Sequence, residues 1–184
     1  ATIKFNFCDN FLKYSVITKK PNNYYYGVNG YVYLTDTNKV IDTVKNKKEY
    51  WVEYSGRNFS MAKLFFTSYS DSSYFTYVVN NQTTKVHLGK NLSIGMAEIN
   101  NINSNKIRFN FYGKLALYGV SFENEAGIFV DNFALRGHSG LNLTRIPKNV
   151  LQAFNSYFDY NLIILQYGAN VLDESVHGYE WYKQ

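Results

Sequence analysis

Cysteine is nearly absent from this chain. The single Cys8 excludes an internal disulfide and a cysteine-based zinc site. Histidine is as sparse, and His87, His138 and His177 are too dispersed to form a metal cluster. No run of about 18 apolar residues exists, so no membrane-spanning helix is expected. No leader-type segment is expected at the start either. Lysine and arginine outnumber the acids by 19 to 14, a formal net charge of +5, but they are scattered. Their densest run, Lys45-Asn46-Lys47-Lys48, lacks the interleaved aromatics of a nucleic-acid groove and suits a loop, so no nucleic-acid partner is expected. No internal repeat or low-complexity stretch appears.

What remains is a foldable, aromatic-rich chain. Its 184 residues suffice for one large domain or two small ones, and 46% of them are hydrophobic against 18% charged. The 18 tyrosines and 14 phenylalanines suit pleated β surfaces. Tyrosine in such numbers also suits half-exposed platforms facing a sugar or a protein partner.

In chain order, Thr2 to Phe7 alternates as a strand does, and Phe11 to Lys20 is expected to be a helix ended by Pro21. From Tyr31 to Phe122 the segments are short and β-rich: 31–35, 49–55, 62–68, 74–80, 84–88, 106–112 and 114–122. Turn signals such as Ser70-Asp71-Ser72 and Asn80-Asn81 separate them. That spacing predicts a β-sandwich. In the second segment Tyr50, Val52 and Tyr54 fall on one face, with Trp51 and Glu53 on the other. After Phe122 the texture is strand, glycine turn, helix: Ile128 to Leu143, a helix over 150–160, and a buried-strand pattern from Asn161 to Gly168. The expected fold is α/β, with an all-β jelly-roll or sandwich domain inserted. The domains are 1–30 (first βα unit), 31–123 (inserted sandwich) and 124–184 (second and third βα units).

These blocks resemble the SGNH (GDSL-type) hydrolases, in the branch that includes peptidoglycan and polysaccharide O-acetylesterases. The N-x-x-x-x-G block resembles Asn132 to Gly137, the G-x-N block Gly168-Ala169-Asn170, and the Gly-Asp-Ser block falls on Cys8-Asp9-Asn10. The resemblance implies a partial flavodoxin-like three-layer fold, Gly137 and Asn170 as oxyanion donors, and Asn10 at the nucleophile position. Oxyanion donors are each worth roughly 10²–10³ in rate. An amide cannot replace the serine hydroxyl. The family's D-x-x-H block is also missing before Gln184, since Asp173 to His177 carries one residue too many. The resemblance therefore implies a protein related to carbohydrate acetylesterases but inactive as it stands. It also implies no cofactor, an extracytoplasmic location, and polysaccharide or peptidoglycan as partner. The rival reading is a non-catalytic carbohydrate- or protein-binding module carried by the sandwich.

Other candidates are weaker. Cys8 occupies the glycine position of its block, not the nucleophile position. His138 suits a polar loop beside Gly137, Ser139 has no evident base, and Ser70-Asp71-Ser72 falls in a turn of the sandwich. Tyr24, Tyr25, Tyr26, Trp51 and Tyr74 could stack on sugar rings, although cross-strand packing is the commoner fate of such aromatics.

Overall fold

A computed structural model describes residues 4–17, 25–35, 49–133 and 140–167. Ten strands occur in them: β1 (Lys4–Phe7), β2 (Leu12–Ser15), β3 (Tyr31–Leu34), β4 (Tyr50–Phe59), β5 (Met61–Ser68), β6 (Tyr74–Val79), β7 (Gln82–His87), β8 (Asn91–Ile99), β9 (Ser104–Tyr112) and β10 (Leu115–Glu123). A 3₁₀ turn (Leu141–Arg145) and one α-helix, α1 (Lys148–Phe158), follow. The strands form two five-stranded sheets. The front sheet has the order β1-β4-β9-β6-β7, and the back sheet β2-β3-β10-β5-β8. Every strand pair among the described residues is antiparallel.

The expected α/β fold, and with it the SGNH resemblance, is therefore corrected to an all-β sandwich carrying one helix. An SGNH domain needs parallel strands joined by crossover helices, and no parallel pair occurs among the described residues. The opening shows why. Residues 12–15, read as helix, form β2 and pair with β3 from Leu12↔Leu34 to Ser15↔Tyr31. The β-branched pair Val16 and Ile17 and the ring of Tyr14 favour this extended form over a helix. The segments 128–133 and 161–167, read as buried strands, are not assigned as strands and are exposed throughout.

The core lies between the sheets. Alternation turns Tyr50, Val52 and Tyr54 of β4 and Ile107, Phe109 and Phe111 of β9 toward Leu64, Phe66, Leu115 and Leu117 of the back sheet. The β6–β7 hairpin closes on Asn80 and Asn81 at φ 50° and 64°, the left-handed pair that a type I′ turn requires and asparagine tolerates.

The outer face of the back sheet is covered as well. Val150 and Phe154, one turn apart on α1, are buried against Phe65, Tyr118 and Ala116. Phe65 meets Phe154 at 5.6 Å and Phe158 at 4.9 Å between ring centroids. Tyr157 Oη donates to Ile94 O at 2.9 Å, and Arg145 Nη1 to Val16 O at 2.7 Å, tying the helical segment to the sheet. Buried Tyr118 shares a 2.8 Å hydrogen bond with Thr67. Burial pushes its phenol up to about 12, against a smaller lowering by Thr67.

Candidate functional site

Covering the back sheet leaves the front sheet's outer face turned to water. The alternation that buries the core residues of β4, β9 and β6 points Trp51, Glu53, Arg108, Asn110, Tyr112, Tyr74 and Thr76 outward, all half-buried. The ladder then sets their order. Trp51 on β4 lies opposite Asn110 on β9, Asn110 opposite Thr76 on β6, and Thr76 opposite Lys85 on β7. One row along, Tyr112 lies opposite Tyr74, and Tyr74 opposite His87. Trp51 and Tyr112 are diagonal neighbours, a relation that spans roughly 7–8 Å. Trp51, Tyr112 and Tyr74 thus make an oblique line of rings over three adjacent strands.

Side-chain contacts hold this array in place. The Arg108 guanidinium carbon lies 4.3 Å from the Trp51 ring centroid. Arg108 Nε donates to Asn110 Oδ1 at 3.2 Å, and Asn110 Nδ2 donates to Thr76 Oγ1 at 3.3 Å. Tyr74 and Tyr112 stack at 4.5 Å and 13°, with Lys85 Nζ 3.8 Å from the Tyr74 ring. On the next row Lys106 Nζ lies 3.3 Å from Glu53 Oε1. The surface alternates apolar ring faces with planar hydrogen-bonding groups whose orientations are already set. It offers stacking and hydrogen bonds and holds no nucleophile–base pair. Among the described residues no cluster of histidine, cysteine and carboxylates could hold a metal ion.

Of the residues singled out by sequence, Trp51 and Tyr74 fall on this face. Tyr26 is buried and Tyr25 half-buried, both packed in the core under α1. Asn10 sits in the turn between β1 and β2, where its Nδ2 donates to Glu49 O at 2.9 Å. Cys8 extends the β1–β4 ladder: its N–H donates to Trp51 O at 3.2 Å and its Sγ accepts from Trp51 N–H at 3.3 Å. Ser70 and Ser72 share a 2.8 Å hydrogen bond in the turn before β6. His87 lies 5.9 Å from Tyr74, ring to ring, at the rim of the face. Gly137, Asn170, His138, Ser139, His177 and Tyr24 lie outside the described residues. Arg108, Asn110, Thr76 and Tyr112 went unnoticed in the sequence. Their signal was the alternation of β9, where Ile107, Phe109 and Phe111 mark the buried face and the intervening residues the outer one.

A second opening lies between the sheets, an apolar gap of about 240 Å³ lined by residues that include Phe7, Phe11, Val52 and Val120. Among the described residues no helix is long and apolar enough to cross a membrane.

No family model and no curated protein sequence matches the chain. Among solved structures it is similar to TmCBM61, determined in complex with β-1,4-galactotriose, with 9% sequence identity, a TM-score of 0.35, and coverage of 66% of this chain and 88% of that one.

Proposed function

We propose that this chain is a non-catalytic carbohydrate-binding module whose front-sheet outer face holds a polysaccharide. The observation that carries this reading is the oblique line Trp51–Tyr112–Tyr74 set against the hydrogen-bonded row Arg108–Asn110–Thr76. A pyranose ring has one face rich in C–H groups and a rim of hydroxyls. An aromatic ring accepts the first, and planar amide and guanidinium groups bond the second. Because those groups are already oriented by one another, little side-chain freedom is lost on binding.

The test is calorimetric titration with a panel of neutral oligosaccharides, β-1,4-galactotriose among them. Trp51→Ala and Tyr112→Ala should each weaken binding by roughly tenfold or more, about 1.4 kcal/mol. Affinity that survives both substitutions would remove the front face from consideration. Binding of no glycan in the panel, with capture of a protein ligand at the same residues, would favour the protein-binding alternative.

A further inference from the structure

The front face carries more positive charge than stacking on a neutral sugar uses. By the ladder that orders its rings, its outward cations are Lys4 on β1, Lys106 and Arg108 on β9, and Lys85 on β7. Its carboxylates are Glu53 on β4 and Glu49, exposed one residue before β4. Glu53 is taken by Lys106 at 3.3 Å. Among the described residues neither Arg108 nor Lys85 has an ion pair. Arg108 lies directly opposite Glu53 in the ladder, the position where opposite charges pair across strands. It turns instead to the Trp51 ring at 4.3 Å and to Asn110 Oδ1, which takes its Nε at 3.2 Å. Among the described residues its two terminal nitrogens meet no protein acceptor. A half-buried cation carries a desolvation cost that an anion at its open edge offsets. Lys85 marks the other end of the ring line, its Nζ 3.8 Å from the Tyr74 ring. A ring face attracts a cation without neutralising it.

We propose that the glycan held by this face is acidic, its sugars carrying carboxylate or sulfate groups that Arg108 and Lys85 meet while the rings stack on the sugar faces. The inference rests on the glycan-binding reading of the face and names the class of glycan. Arg108 and Lys85 stand on strands two positions apart in the sheet, roughly 10 Å, so one small anion does not answer both. A chain with acidic groups along its length does. The open end of the guanidinium presents parallel N–H groups that match two oxygens of a carboxylate or sulfate. The net charge of +5 favours the approach of such a chain. A nucleic acid is the less suited polyanion. It is held through many phosphate contacts, on the order of six to ten, and this face sets only two unpaired cations beside its rings.

Calorimetric titration of the whole chain with matched pairs tests this. One pair is a trimer of galacturonic acid and its methyl ester, and the other a sulfated galactan oligosaccharide and its desulfated form. At low salt the acidic member of at least one pair should bind roughly tenfold or more tightly than its neutral counterpart, about 1.4 kcal/mol. That ratio should shrink toward one near 1 M salt, where screening acts within about 3 Å. A preference in the uronate pair alone assigns carboxylate as the recognised group, and one in the galactan pair alone assigns sulfate. Arg108→Gln and Lys85→Gln should each lower the ratio several-fold, a readout that a general loss of fold does not produce. Arg108→Lys, which keeps the charge but not the fork, should retain part of it. Neutral members that bind as tightly as their acidic counterparts, or a ratio that survives both glutamine variants, would overturn the acidic assignment and leave the glycan site standing. Equal affinity for a single-stranded oligonucleotide at the same residues would show that charge alone is read, and would overturn it too. Binding of no member of either pair would remove the glycan reading itself, and this inference with it.

Discussion

The two outer faces of the sandwich are built by the same alternation and meet opposite surroundings. On the back sheet the outward residues are Phe65, Tyr118 and Ala116, and α1 covers them with Val150 and Phe154. On the front sheet the outward residues are Trp51, Arg108, Asn110, Tyr112, Tyr74 and Thr76, and water covers them. Aromatic content does not separate the two, since both faces carry rings. The neighbours of those rings do. The outward back-sheet rings Phe65 and Tyr118 touch the Phe154 ring of α1, and the buried Tyr118 hydroxyl is satisfied within the protein. Front-sheet rings touch a guanidinium, an ammonium and each other, with amides alongside. Rings among aliphatic groups stabilise the fold, whereas rings among oriented polar groups can recognise a ligand.

The contrast can be broken hardest at Phe154. Phe154→Ala should cost about 3–5 kcal/mol of stability by opening a cavity under the helix, read by urea unfolding, and leave the glycan affinity of the folded protein unchanged. A pH series probes the same face. Tyr118's pKa is raised in the fold from 10.0 to about 12, so its neutral form is favoured there. The stabilisation that follows is complete below pH 10, declines as pH rises through that interval, and is gone above about 12. Thermal melts should fall along that limb, and Tyr118→Phe should flatten it while losing about 1 kcal/mol with the Thr67 hydrogen bond. At the small end, Trp51→Ala should change stability by less than about 1 kcal/mol, because the residue is half-buried and outside the core. A loss as large as that at Phe154 would make Trp51 a structural residue and erase the distinction between the faces.

Much of the sandwich was legible along the chain. The alternation over 50–54 put Tyr50, Val52 and Tyr54 on one face and Trp51 and Glu53 on the other, and the structure turns the first set to the core. Asn80-Asn81 marked a turn, which the structure makes the β6–β7 hairpin, and the helix expected over 150–160 is α1, starting two residues earlier. Strand β8 was missed because Gly95 interrupts its pattern. A Cβ at that glycine would stand 2.7 Å from Asn91 Nδ2 and 3.1 Å from the Phe66 ring, so those side chains would have to give way to any larger residue. The larger error came from the apolar runs near 128 and 161. Apolar composition predicts that a segment is to be covered, not what covers it, and reading them as strands of a parallel sheet led to the hydrolase resemblance. The candidate site was half legible. Trp51 and Tyr74 stood out as aromatics. Asn110 and Thr76 are 34 residues apart in sequence and become neighbours only through the β6–β9 register, which no local pattern encodes.

The most direct test of glycan recognition by the front face is amide chemical-shift mapping of the chain titrated with whichever oligosaccharide binds most tightly. Perturbations should concentrate on residues 51–53 of β4, 108–112 of β9 and 74–76 of β6, and spare α1 and the back sheet. Shifts gathered on α1, or at the apolar gap between the sheets, with the three front strands silent, would contradict the account.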